Sequence, residues 1–263
     1  MKYRLIAVDM DGTLLNSQGR ITDKTIAAIH KAVEKGVLFT ICTGRPIQGV
    51  ELYYDVLDTD APVITYNGAM IVMGRSREIL YKQDLDPGDA RDVLEWGKKL
   101  NTTVIAWSDN KLYANELNDR VHDYKKLSLV EPILITDEDE LINNGVTKFL
   151  WYDDADRIRH FQEVLADKLS EGVTYCTSKP TFLEFFNSKV SKAVAMEKIG
   201  EHFSIRREEM VAIGDGFNDL SMIEYAGLGV AMGNAPEEIK KRAGYVTLSN
   251  DDDGIAYFID EFF

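Results

Sequence analysis

Asp9-Met10-Asp11-Gly12-Thr13 sets two carboxylates one residue apart, directly after the apolar run Arg4-Leu5-Ile6-Ala7-Val8. In an open parallel sheet, ligands bind beyond the carboxyl ends of the strands, so acids placed there face a site while a rigid element holds them. Such a pair can divide the work of phosphoryl transfer. One carboxylate attacks phosphorus as a nucleophile. The other protonates the leaving oxygen and later activates water. Gly12 lets the chain turn sharply at the ligand. An Asx-turn at a strand end is the plain alternative. A calcium loop is a third reading, and it fails: with Asp9 as its first position, Leu14 stands where glycine is needed and Arg20 where the closing glutamate is needed.

Three further groups follow the same logic. Thr43-Gly44-Arg45 comes after the apolar run Val37–Cys42. A threonine hydroxyl and a glycine N–H both donate to phosphoryl oxygens, although a turn with a surface arginine is the default for the triplet alone. Gly44 and Gly49 have Walker A spacing, but Val50-Glu51 replaces the required Lys-Ser/Thr, which excludes a P-loop. In Ser188-Lys189-Val190-Ser191-Lys192, Lys192 opens a helical stretch, where a helix N-terminus and an ammonium favour an anion. Read alone it is a surface lysine, and Lys189 competes for the role. Gly214-Asp215-Gly216-Phe217-Asn218-Asp219 again follows an apolar strand. Asp215 and Asp219 suit Mg²⁺, which takes a few carboxylates and keeps waters. Asn218 suits a phosphate or other ligand, and a plain Asp-Gly turn is the alternative. The combination carries the argument, because several strands ending in phosphate- or metal-compatible groups should converge on one sheet edge.

The elements that position these groups alternate at both ends of the chain. Arg4–Val8, Val37–Cys42 and Pro62–Tyr66 read as buried strands, the last ended by Asn67-Gly68, with a helix over Thr22–Glu34 capped by Thr22 and stopped at Gly36. This β-α-β-α-β order predicts a parallel sheet with right-handed crossovers. The pattern resumes with helix Ser191–Phe203, strand Met210–Ile213, helix Asp219–Ala226, strand Gly229–Met232, helix Pro236–Ala243 and strand Tyr245–Leu248. The middle differs. Helix Pro87–Leu100 leads to strands Thr103–Trp107 and Lys111–Ala114, then short mixed elements. Strand Thr147–Tyr152, helix Asp156–Leu169 and strands Gly172–Thr177 and Thr181–Phe186 complete it. Adjacent strands without an intervening helix predict antiparallel pairing, hence an α+β insertion within an α/β domain.

In this order the motifs Asp-x-Asp-Gly-Thr, Thr-Gly-Arg, Lys and Gly-Asp-x-x-Asn-Asp resemble the four motifs of the haloacid dehalogenase superfamily. The insertion between the second and third resembles the cap of its Cof-type phosphatases, and the likeness spans essentially the whole chain. It implies a Rossmann-like three-layer core with a parallel sheet (residues 1–82 and 187–263) plus an α+β cap (83–186) that closes over the core and selects substrate. It also implies Asp9 as nucleophile and Mg²⁺ ligand, and Asp11 as general acid/base with its carbonyl on the metal. Met10, Thr43, Gly44, Arg45, Lys192 and Asn218 are implied around the phosphoryl group, Lys192 being preferred to Lys189 on family spacing. Asp215 is implied as a metal ligand and Asp219 as its support. The implied activity is Mg²⁺-dependent hydrolysis of small phosphorylated metabolites such as sugar phosphates, pyridoxal phosphate or flavin mononucleotide, by way of an aspartyl-phosphate. A phosphomutase and an inactive binding or regulatory protein are the alternatives. Halide release fits Asp11 and Asp215 less well.

Composition narrows the partners. A formal net charge of -14 over 263 residues argues against nucleic acid and anionic membranes. Cys42 and Cys176 are far apart with no CxxC spacing, as expected of a reduced cytoplasmic protein. Met1–Val8 is too short an apolar stretch for a signal peptide, and no stretch suits a membrane span. The four histidines lack metal-ligand spacing, and Trp96, Trp107 and Trp151 are expected in the core. A monomer is the default expectation.

Overall fold

The computed structural model describes residues 2–57 and 60–263, and Met1, where the core is expected to begin, lies outside the described residues with Asp58 and Thr59. The chain forms two compact units. One comprises the residues through Tyr81 and Ser191–Phe263, the other Lys82–Val190.

In the first unit, β1 (Leu5–Val8), α1 (Asp23–Glu34), β2 (Leu38–Ile41), α2 (Glu51–Leu57), β3 (Pro62–Thr65), β4 (Met70–Met73) and β5 (Ile79–Lys82) follow in order, β5 ending at the unit boundary. The Thr22 hydroxyl accepts from Thr25 N at 3.2 Å and so caps α1. The second unit holds α3 (Pro87–Lys99), β6 (Thr103–Ser108), β7 (Lys111–Ala114), α4 (Asp119–Ser128), β8 (Pro132–Leu134), α5 (Glu138–Asn143), β9 (Lys148–Tyr152), α6 (Ala155–Leu165), β10 (Val173–Lys179) and β11 (Phe182–Asn187). The first unit then resumes with α7 (Lys192–Phe203), β12 (Met210–Gly214), α8 (Leu220–Tyr225), β13 (Leu228–Ala231), α9 (Glu237–Lys240), β14 (Tyr245–Val246) and α10 (Gly254–Phe262).

The core sheet is parallel, in the order β14-β13-β12-β1-β2, with Leu5 paired to both Met210 and Leu38. All four residues of β1 are buried, as a central strand covered on both faces requires. Leu5, Ala7, Met210 and Ala212 face one layer, where Ala195, Met196 and Ile199 of α7 and Met222 of α8 pack on them. Alternation turns Ile6 and Val8 to the opposite face. There α1 and α10 pack against each other. The result is a three-layer α/β core.

The third expected strand departs from the simple parallel scheme. β3 touches β2 through one parallel bridge, Cys42 to Ile64, and otherwise belongs to an antiparallel β3-β4-β5 sheet. Pro62 has no N–H to give to a ladder. Its carbonyl is taken by the Thr40 hydroxyl at 2.5 Å, so a side chain replaces the backbone pairing there.

The inserted unit is an α+β layer with sheet order β10-β11-β9-β6-β7-β8. β6–β7 and β10–β11 are antiparallel hairpin pairs, and only β7–β8 is parallel. Trp107 and Trp151 are fully buried, and Trp96 packs at the edge of the core that holds Trp151. The helices expected over 156–169 and 236–243 are shorter. Beyond Leu165 and Lys240 the chain tightens into i→i−3 bonds, Lys168 N to Leu165 O and Ala243 N to Lys240 O. Among the described residues no helix is long and apolar enough to cross a membrane.

Candidate active site

Asp9 closes β1 and is 6% exposed, and its N–H stays in register by donating to Ile213 O at 2.9 Å. Lys192, the first residue of α7, reaches across the strand ends. Its ammonium donates to Asp9 Oδ1 at 2.5 Å, Asp219 Oδ1 at 2.6 Å and the Cys42 carbonyl at 2.8 Å. Ser191 makes this placement repeatable by capping α7, its hydroxyl accepting from Val194 N at 3.1 Å. Lys189, the competing candidate, is exposed.

One buried ammonium therefore faces Asp9 and Asp219, with Asp215 close by. Burial favours the neutral form of Lys192, but the attraction of Asp9 and Asp219 outweighs it and holds the lysine charged well above its ordinary range. Burial pushes Asp9 up to about 7; Lys192 restrains the rise, while Asp219 and Asp215 add to it. Asp215 is raised too, mainly by burial, against a hydrogen bond from Thr13.

Oxygens of Asp9, Asp215 and Asp219 lie within 4.8 Å of one another. The donor set is all carboxylate oxygen, which suits a hard divalent cation such as Mg²⁺. The negative excess around Lys192 gives such a cation something to balance. The three acids are not equivalent. Asp219 is the most heavily engaged: Oδ1 accepts from Lys192, and Oδ2 accepts from the N–H groups of Asp215 at 3.1 Å and Gly216 at 2.8 Å. It shapes the loop and fixes the lysine. Asp9 and Asp215 keep lone pairs for a metal. Asp215 Oδ1 accepts from the Thr13 hydroxyl at 2.7 Å. Gly12 leaves room for it: at φ +83° a Cβ there would sit 2.5 Å from Asp215 Oδ2.

Asp11 points elsewhere. Its carboxylate takes a two-pronged bond from Arg45, Nη2 at 2.5 Å and Nε at 2.9 Å. Arg45, expected at the phosphoryl group, is thus engaged with the second acid. The Met10 side chain is fully buried, which leaves only its main chain for a ligand. Thr43 is buried, its hydroxyl accepting from Arg45 N at 3.1 Å, and Gly44 follows at the end of β2. Asn218 is on the exposed side of the turn after β12, against Gly216.

Two residues belong beside these and are missing from the four motifs. Asn234 donates from Nδ2 to the Gly12 carbonyl at 2.8 Å and lies 3.5 Å from Asp215 Oδ2. Asn67 donates its backbone N–H to the Thr43 carbonyl at 2.9 Å. The strand-end criterion that singles out Asp9, Thr43 and Asp215 applies equally to both, since Asn67 follows β3 and Asn234 follows β13.

Known proteins resemble the chain over nearly all of their own length. A 5-amino-6-(5-phospho-D-ribitylamino)uracil phosphatase of Bacillus subtilis, YcsE, is 32% identical over 253 residues, covering 96% of this chain and 93% of that protein. The crystal structure of a haloacid dehalogenase-like hydrolase from Bacteroides thetaiotaomicron superposes with a TM-score of 0.90 at 32% identity, covering 100% of both chains. A sugar phosphatase of HAD subclass IIB gives a TM-score of 0.82 at 28% identity, covering 98% of each chain. Residues 6–259 match the haloacid dehalogenase-like hydrolase family as a whole, and the chain belongs to that family as a phosphatase.

Proposed function

We propose that the chain hydrolyses small phosphorylated metabolites, sugar and polyol phosphates foremost, with Mg²⁺ and through an aspartyl-phosphate on Asp9. The single observation that carries this reading is the buried Asp9–Lys192–Asp219 bridge with Asp215 beside it. Structural acids have no need of such a cluster at a strand end. The chemistry named for the Bacillus relative and for the sugar phosphatase, a phosphate ester in each case, supports the substrate class. Free Cys42 and Cys176 fit a cytoplasmic setting.

Asp9 and Asp215, with Asp219 behind them and the Asp11 carbonyl alongside, would hold the metal, which when bound supplies charge neutralisation at the phosphoryl oxygens. Lys192 offsets the repulsion between the Asp9 carboxylate and an anionic phosphate, and its hydrogen bond to Oδ1 holds the carboxylate in place. Thr43 and Gly44 donate to the transferring group. The Asp9 oxygen attacks phosphorus, the bond from phosphorus to the ester oxygen breaks, and Asp11, protonated and released from Arg45, passes its proton to that oxygen. Asp11, oriented by Arg45, then takes a proton from water as the water oxygen attacks phosphorus. Inorganic phosphate leaves, and Asp9 is free again.

The test is a panel of phosphorylated metabolites with Mg²⁺, scored for free phosphate and, with hexose phosphates, for isomerised sugar. Free phosphate that vanishes in Asp9→Asn and after chelation is the expected result. Isomerised sugar without phosphate release would make the protein a mutase. Wild-type turnover by folded Asp9→Asn would overturn the mechanism.

A further inference from the structure

Between β3 and β4 the chain passes through three consecutive residues in the left-handed region: Tyr66 at φ 50°, Asn67 at φ 57° and Gly68 at φ 107°. An Asn-Gly pair with positive φ is ordinary in a tight hairpin. A fully buried tyrosine at positive φ is not, and no hairpin requires it. Backbone held in such regions is costly and is kept where the surroundings impose it, most often at binding sites.

The surroundings here belong to the candidate active site. Gly68 lies so close to α7 that a Cβ on it would fall 2.2 Å from the Ser191 carbonyl, one residue before Lys192. Asn67 is tied by its N–H to the Thr43 carbonyl at 2.9 Å. Its side-chain amide lies against Gly44, where a Cβ would be 3.0 Å from Oδ1 and 3.1 Å from Nδ2. The missing side chain of Gly44 is what lets the amide lie there. That amide has an unmet need: Asn67 Oδ1 is buried without a hydrogen-bond partner. Buried polar atoms are nearly always satisfied, so an orphan beside a ligand-binding loop calls for a missing group. Turning the amide over puts an N–H donor in the same place, since its oxygen and nitrogen are nearly equal in size.

We infer that Asn67 is a further phosphoryl-binding residue, its side-chain amide donating to an oxygen of the group held by Thr43 and Gly44. The inference rests on the phosphatase reading above. It gives the strained segment a purpose: Tyr66–Gly68 carries the amide over the end of β2, where a relaxed turn would carry it away.

Asn67→Gly separates this role from a structural one. Glycine takes φ 57° freely, so the variant should melt at or above the wild-type temperature. Its affinity for inorganic phosphate in the presence of Mg²⁺, measured by calorimetry, should fall roughly 10- to 100-fold, the usual effect of losing a hydrogen bond to a charged group. kcat/KM for a phosphate monoester should fall with it. Asn67→Asp, which tolerates the same backbone but sets a carboxylate against the phosphate, should lose more. A stable Asn67→Gly enzyme with wild-type phosphate affinity and kcat/KM would overturn the inference and leave the phosphatase reading intact. A wild-type protein that neither binds phosphate nor releases it from any ester would overturn both.

Discussion

Removing the charge of Asp9 should stabilise the metal-free protein while abolishing turnover. Burial raises Asp9 from an ordinary 3.8 to about 7, with Lys192 restraining the rise and Asp219 and Asp215 adding to it. A folded-state pKa raised above the unfolded value favours the protonated native state. Its stabilising effect is full below about pH 4 and is lost as pH rises through 7. The difference between 3.8 and about 7 corresponds to an energy on the order of 4 kcal/mol. Asn copies the neutral acid in shape, so Asp9→Asn should gain on the order of 4 kcal/mol over wild type at pH 8 in EDTA, and almost nothing at pH 4. Saturating Mg²⁺ should shrink the difference, because the cation binds the native wild type and stabilises it by mass action. Urea melts at pH 4, 6 and 8, in EDTA and in Mg²⁺, measure all of this. Equal stability of the two proteins at pH 8 in EDTA would refute the reasoning. So would a gain for Asp9→Asn that is largest in acid.

Two further outcomes follow from the same contacts. Lys192→Met leaves Asp9 and Asp219 buried without their cation, so in EDTA it should lose about 3–5 kcal/mol by urea melt, and its kcat with Mg²⁺ should fall roughly 100- to 1000-fold. Gly12→Ala drives a Cβ to 2.5 Å from Asp215 Oδ2, and Mg²⁺ titration of its activity should show metal binding weakened roughly 10- to 100-fold.

Much of the core is legible in the sequence because its strands are short and wholly buried. Leu5–Val8 and Met210–Gly214 are apolar without a break, as sheet centres covered on both faces must be. Polar groups that follow such strands are visible for the same reason, and the structure brings Asp9, Lys192, Asp215 and Asp219 together. What stays hidden depends on partners far away in the chain. That β3 leaves the main sheet follows from Pro62 and the Thr40 hydroxyl acting between strands. That Arg45 grips Asp11 is a contact between two strand-end loops, and a surface arginine gives no sign of it. The engagement of Asp219 Oδ2 is set by two backbone amides, which no residue type encodes. Helix α10 is a different case: Ile255, Ala256, Phe258 and Ile259 have helical spacing, so its signal is present in the sequence.

The bridge made by Lys192 also bears on how the protein is made. Its partners lie 183 and 150 residues earlier in the chain, and 27 residues later. The sheet repeats this, since β1 lies between β2, which follows it closely, and β12, which arrives only after the inserted unit. A nascent chain that has exposed β1 and β2 to solvent presents Asp9 with neither its ammonium nor its second strand. Such distant contacts form slowly, because loop closure must precede the contacts that reward it. On the ribosome the residues of the inserted unit emerge complete before those of the core, whose first part waits for Ser191–Phe263. A product ending before α7 lacks Lys192, Asp215 and Asp219, and it should release no phosphate from an ester.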